Sequence, residues 1–350
     1  MVTSSRRAAL RLIASLGLAS AAARPAQAQT SPTPVRLGYV PVIGASSVFV
    51  LDGAGWAKQE GLDLEMVRFE SGSNAIQAFS SGTLDLLAIG IAPIAVARAR
   101  GLDVNVVAAA ATGGSAFIAS AALAASFNEA NGDVAHAFAG FRSKLGRRAK
   151  LATLPSGGVP TVALNYWLWK SGRVDPADVE IIAMGIDVIQ QAMLAGTVDG
   201  ATVLEPSASI VLARNPRLQT IATVRDMFPQ IPGVVIAASG SFERAHPDAL
   251  VTFVKLAIRA TDMIKAHPQA AAPYVQATLG GGLVDEAIMV KGLTSAAIGF
   301  VTDPRDIVAP TRELLAYQVE LGDFAAAPPT SGLFDTTFFD RAAAVNGGAR

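Results

Sequence analysis

Ser71-Gly72-Ser73-Asn74-Ala75-Ile76-Gln77-Ala78-Phe79-Ser80-Ser81-Gly82-Thr83-Leu84-Asp85-Leu86-Leu87-Ala88-Ile89-Gly90-Ile91-Ala92-Pro93 is the stretch on which the fold turns. The small polar turn Ser71–Asn74 breaks the apolar run ending at Phe69-Glu70, and Ala75 to Ser81 reads as a short helix. Gly82 follows it, where a left-handed backbone suits glycine. Leu84 to Ile89 reads as the next strand, which Gly90-Ile91-Ala92-Pro93 stops. A polar turn that opens a helix leaves free N–H groups and a positive dipole end pointing outward, a site for an anion or a polar ligand.

The pattern recurs. Shifted by 114 residues, Gln191-Ala192-Met193-Leu194-Ala195-Gly196-Thr197-Val198-Asp199 falls on Gln77 to Asp85, and Lys150 to Pro155 falls on Arg36 to Pro41. Helix-Gly-Thr-x-Asp-strand is common punctuation in α/β chains, so one match alone is weak. Two separated segments at one offset favour two similar α/β lobes.

At 350 residues the chain can bury one large core or two ordinary ones. It has no cysteine, which excludes disulfides, thiolate metal sites and cysteine nucleophiles. The formal charge of zero includes Arg6, Arg7, Arg11 and Arg24 in a leader without acids; without them 24 basic residues face 28 acidic ones, a net of −4. That argues against nucleic acid as a partner.

Residues 1–28 read as an export signal: Arg6-Arg7, the uncharged run Leu12 to Ala23, and Ala26-Gln27-Ala28 as a cleavage pattern, with processing expected after Ala28. Twin-arginine and general secretion both remain open. The expected destination is the periplasm. Residues 29–34 read as a tether, 35–115 with 234–350 as lobe one, and 116–233 as lobe two. Strands are expected at Val35–Val40, Leu62–Phe69, Val104–Ala111, Lys150–Leu154, Val179–Met184 and Val198–Leu204, and helices at Val48–Gln59 (Trp56 inward) and Thr161–Lys170. Ala116–Ala125 reads as the crossing into lobe two and Val234–Ala238 as the return. Phe127–Gly146 has little pattern, and from Phe242 the remainder reads as helical, packed on lobe one. Such alternation indicates mostly parallel sheets flanked by helices, with ligands beyond the carboxyl ends of the strands.

Val35-Arg36-Leu37-Gly38-Tyr39, Glu60-Gly61-Leu62-Asp63-Leu64, Ser71-Gly72-Ser73, Gly82-Thr83-Leu84-Asp85 and Glu205-Pro206, in that order, resemble the periplasmic solute-binding proteins of ABC importers for sulfonates, taurine, nitrate and thiamine precursors. The resemblance implies a two-lobed, type II periplasmic-binding-protein-like α/β fold. It also implies a small ligand in the interlobe cleft, delivery to ABC permease subunits in the inner membrane, a monomeric mature chain, no cofactor and no metal. The residues it places at the cleft are Ile43, Ser46, Ser73, Asn74, Ile91, Ala92, Ser115, Ser156, Gly157, Gly158, Asp187 and Glu205. The family often has tryptophan before Glu-Pro; this chain has Leu204.

Ser73, Asn74 and Ser156, with the amides of two helix starts, could hold an anionic head without arginine, making a small anionic organic solute the expected ligand. If Asp187 and Glu205 both face the cleft, they could instead bind an ammonium group or reject anions. For each serine and for Asp187 the alternative is an ordinary helix cap, and for Glu205 a hydrogen bond within its lobe. Trp167 and Trp169 cannot share a helix face, so at least one belongs to the core.

Enzymes share this fold. A desulfinase or pyrimidine-synthase relative needs cysteines that are missing, His136, His246 and His267 form no ligand or triad pattern, and no Gly-x-Ser-x-Gly is present. Gly280-Gly281-Gly282 reads as a turn. The chain is expected to lack catalysis; a carboxylate-dependent lyase and a periplasmic sensor input are the alternatives.

Overall fold

The computed structural model describes residues 31–228, 230–280 and 284–347. The expected leader, the start of the tether, and Gly281-Gly282 of the glycine turn lie outside the described residues.

Twelve strands are described: β1 (Thr33–Tyr39), β2 (Leu62–Arg68), β3 (Leu86–Gly90), β4 (Val104–Ala109), β5 (Ala111–Gly113), β6 (Ser115–Ala119), β7 (Ala149–Thr153), β8 (Val179–Ala183), β9 (Gly200–Leu204), β10 (Gln219–Thr223), β11 (Val234–Ser239) and β12 (Ile298–Phe300). They form two five-stranded sheets, β2-β1-β3-β11-β4 and β8-β7-β9-β6-β10, and a small β5–β12 pair. In each sheet one strand runs against its neighbours: β11 in the first, β6 in the second. These two are the crossing strands, so the sheets share one topology.

The register shares it as well. Leu37 pairs with Leu86 and Gly38 with Leu87 in the first sheet; Leu151 pairs with Gly200 and Ala152 with Ala201 in the second. Every one of these positions differs by 114. The outer pairing slips by one residue, Val35 facing Leu64 whereas Ala149 faces Val179. In both sheets an aspartate staples the central strands. The Asp85 carboxylate accepts the Arg36 N–H at 2.9 Å and its guanidinium at 2.8 and 3.0 Å. Asp199 accepts the Lys150 N–H at 2.9 Å and the guanidinium of Arg147 at 2.6 and 2.8 Å.

Sequence pattern follows position. Edge strand β2 alternates buried and exposed side chains, whereas Leu86 to Ile89 of central β3 is buried throughout because helices cover both faces. Burying a leucine or isoleucine there contributes about 1.5–3 kcal/mol. The second sheet packs on Phe117, Phe127, Phe138 and Trp167, with Trp167 stacked on Phe127 at 5.8 Å. Trp169 lies further out, donating to Asn165 at 2.8 Å.

Several elements depart from expectation. The helix anticipated over Val48–Gln59 is two, Ser46–Gly53 and Trp56–Gln59, because Gly55 takes a left-handed φ of 71° between them. Trp56 is half-buried, its ring capped by the Arg259 guanidinium at 3.7 Å. Of the apolar run Ala116–Ala125 only the part to Ala119 crosses, in β6; Ser120 then caps a helix, Ala121–Glu129, by accepting the Leu123 N–H. The unpatterned stretch holds the helix Val134–Leu145, begun by Asp133 accepting the His136 N–H and ended by left-handed Gly146. The helix Val159–Asn165 starts two residues early and runs into a π-helical turn, Tyr166–Ser171. Beyond Phe242, β12 interrupts the helices, and Val308–Glu320 touches helices of both sheets, Ile91–Ala99 and Val159–Asn165.

Candidate functional site

The strands' carboxyl ends of the two sheets meet around a small chamber of about 50 Å³ that is partly open to solvent. Its walls are matched pairs. Val40 after β1 and Leu154 after β7, Gly72 after β2 and Ile186 after β8, and Gly90 of β3 and Leu204 of β9 each differ by 114 and all line it. Ser115 and Val234, which begin the crossing strands β6 and β11, form a fourth pair. The two sides approach closely: a methyl group on Gly90 would come within 3.3 Å of Val159 across the chamber. At Gly72, which opens the helix Gly72–Ser80, a side chain would stand 2.7 Å from Pro93.

Beside the chamber, sharing Pro93 with it, runs an open groove of about 740 Å³. Ser73, Gln77, Arg100, Ser156, Gly157 and Asp323 supply its polar edge. Ser156 donates to Asp323 at 3.2 Å, bringing the segment after the helix Val308–Glu320 to the groove.

The twelve expected residues therefore separate. Ser115 and Gly158 line the chamber; Ser73, Ser156 and Gly157 line the groove. Ile91 and Ala92 are fully buried in the first helical turn between the lining residues Gly90 and Pro93. Ile43 is buried, and its N–H donates to the Glu205 carbonyl at 2.9 Å, tying the β1 and β9 ends together. Ser46 is buried with its hydroxyl unpartnered, and it lines neither space.

Neither Ser73 nor Asn74 is the helix cap: Ser71 is, its Oγ accepting the Asn74 N–H at 3.2 Å. That leaves the Gly72 and Ser73 amides without intrahelical partners. At the helix Val159–Asn165 the cap is Gly158, Pro160 has no N–H, and the Thr161 and Val162 amides bond the Gly158 carbonyl. Only the Val159 amide remains there.

Asp187 does not cap its helix. It accepts from Arg68 at 2.6 Å, and Arg68 also bonds Glu70, so a three-charge cluster joins the β2 and β8 ends. Glu205 is buried, with the Ser209 N–H donating to its Oε2 at 3.1 Å, a hydrogen bond within its own segment. Nearby, burial pushes the Tyr39 phenol up, with Arg68 pulling the other way. Among the described residues no cluster of metal-binding side chains occurs, and no helix is long and apolar enough to cross a membrane.

Sequence reasoning missed the apolar walls. The signal was present in the offset itself: each wall residue of one sheet marks its partner in the other.

The model of the NMT1-like family matches residues 28–280. The chain belongs to this family. Within curated relatives, this NMT1-like chain is 23% identical over 232 residues to a putative aliphatic sulfonates-binding protein of Bacillus subtilis, covering 65% of this chain and 64% of that one. It is 24% identical over 214 residues to the taurine-binding periplasmic protein of Escherichia coli, covering 61% of each. The matches thus span less than two thirds of these relatives' length. Among solved structures, the periplasmic nitrate-binding protein NrtA of Synechocystis superposes with a TM-score of 0.76 at 12% identity, covering 90% of this chain and 89% of that one. The fold is that of periplasmic binding proteins.

Proposed function

We propose that this NMT1-like protein is the solute-binding component of an ABC importer, a monomer exported to the periplasm that captures a small organic molecule between two lobes. The observation that carries this reading is the chamber itself, walled by equivalent residues from the strand ends of two sheets of one topology. The lobes are 35–115 with 234–350, and 116–233, linked at the β5–β6 and β11 crossings. Ligand pockets usually enclose about 300–1,000 Å³, so the lobes would part to admit an organic solute to this chamber. The Arg68–Asp187 pair and the Ile43–Glu205 backbone bond are the contacts that would break and reform. The names of the two curated relatives support the solute-binding role.

No histidine lines the chamber or the groove, and His136 is exposed beside Asp133. The test is native mass spectrometry of the freshly purified mature chain, then titration calorimetry and X-ray scattering with the released molecule. Saturable 1:1 binding with a fall in radius of gyration is expected. Turnover of the bound molecule would refute the assignment.

A further inference from the structure

A segment that belongs to lobe one by its place in the chain has its tip on lobe two, an arrangement that bears on closure and rests on the solute-binding reading. Both its ends are fixed to β4, an edge strand of the first sheet. Before the segment, the Ala109 N–H donates to the Thr302 carbonyl at 3.0 Å. After it, the Val106 N–H donates to the Leu333 carbonyl at 2.8 Å, and the Asp335 N–H donates back to Val106 at 2.9 Å. Between these anchors the helix Val308–Glu320 runs out against Ile91–Ala99 with Leu314 and Leu315 buried. Residues 321–332 then return without helix or strand.

The far end of this loop docks on lobe two. Tyr317 is 5% exposed, its ring centroid 5.0 Å from that of Tyr166 and 6.4 Å from that of Phe228. The Lys170 ammonium lies 5.3 Å from the same ring and pairs with Glu320 at 2.5 Å. Further along, Ser156 donates to Asp323 at 3.2 Å. The fully buried Gln318 braces that aspartate, its Nε2 donating to the carboxylate at 3.1 Å and its carbonyl accepting the Asp323 N–H at 2.9 Å. An arm rooted twice in lobe one cannot follow lobe two when the lobes part. Opening would pull Tyr317 from its aromatic partners, and exposing a buried ring costs more than breaking an exposed ion pair such as Arg68–Asp187. We propose that residues 303–332 form a clamp that holds the two lobes together in the absence of ligand, with Tyr317 as its catch and Glu320 and Asp323 beside it. Gly322 and Asp323 also wall the groove, so a solute lying there bears on the same tip.

X-ray scattering of the mature chain, refolded from urea to free it of any bound molecule, tests the clamp. Tyr317→Ala is expected to raise the radius of gyration while the far-ultraviolet circular dichroism stays unchanged. Glu320→Lys, an exposed change that sets like charges together at Lys170, is expected to raise it less. The chain has no cysteine, so Ser156→Cys and Asp323→Cys can be joined to each other alone. In the Tyr317→Ala background, oxidation of that pair by copper phenanthroline should restore the wild-type radius, and reduction should undo it. A Tyr317→Ala chain that melts earlier at an unchanged radius, or an oxidised triple variant no more compact than its reduced form, overturns the proposal. Should Tyr317→Ala fail to fold, Glu320→Lys decides, and an unchanged radius there overturns it too. If Arg68→Ala raises the radius and the clamp variants do not, the lobes move and the clamp alone falls. If no variant changes the radius and native mass spectrometry finds no bound molecule, the solute-binding reading falls with it.

Discussion

The two sheets carry one plan with different furnishing. Their central registers, their aspartate staples and the caps of the helices after the crossing strands coincide: Ser120 accepts the Leu123 N–H, and Ser239 accepts the Phe242 N–H. What differs is what fills each equivalent place. Ser71 caps the helix Gly72–Ser80, but its counterpart Gly185 offers no side chain, and Asp187 stands where Ser73 stands. Asp85 takes its arginine from position 36 on the strand; Asp199 takes Arg147 from before β7, because Lys150 occupies the strand position. Hydrogen bonds that hold a strand pair are hard to relocate, since each buried carboxylate and amide must be satisfied. Side chains at strand ends are free to vary in size, and that freedom shapes the chamber.

The staples should give the largest effect. Asp199→Ala is expected to lower unfolding free energy by about 1–3 kcal/mol, since it orphans the Lys150 strand amide and releases the exposed Arg147 guanidinium. Asp85→Ala should cost somewhat less, its side chain being 17% exposed against 11%. Urea denaturation of both variants checks the ranking; a negligible effect at either site would break the equivalence of the halves.

Gly200 sharpens the contrast, because its counterpart 114 residues earlier is Leu86. A methyl group at Gly200 would lie 2.6 Å from the Phe117 ring. Gly200→Ala should therefore destabilise by about 1–3 kcal/mol through overpacking, visible as a lower urea midpoint at unchanged slope.

The caps come next. Ser71→Ala is expected to cost about 1 kcal/mol. The mirror change, Gly185→Ser, should gain a few tenths, because glycine is itself a tolerated cap. Thermal unfolding of the two variants should move in opposite directions.

The smallest effect concerns Glu243, whose counterpart after β6 is the buried Ala124. Burial pushes the Glu243 carboxyl above its ordinary 4.5, with the Asn105 hydrogen bond opposing. A raised acid contributes stability that is present below its unfolded value and lost as pH rises through the folded one. The wild-type melting temperature should then fall more than that of Glu243→Gln between about pH 4 and 7; parallel profiles would remove Glu243 from the account.

Much of the fold was legible because the repeated helix-Gly-Thr-x-Asp unit and the Pro41 and Pro155 strand ends follow local rules. The break at Gly55 escaped because an apolar stripe continues across it, and the Val134–Leu145 helix because its few core residues, Ala137, Phe138 and Phe141, are widely set among polar ones. At the site, residue type suggested polar turns, while the chamber is walled by ordinary aliphatics whose role depends on what they face. Ser73 reads the same whether or not Ser71 has already taken the helix cap.

The sequence by itself determined two α/β halves in one order, since strand periodicity, glycine stops and a fixed offset are properties of neighbouring residues. Only the tertiary structure decided that Val40 meets Leu154 and that Asp187 is spent on Arg68. Those pairings join residues more than a hundred positions apart, and close packing and charge matching across such distances exist only once the chain has folded.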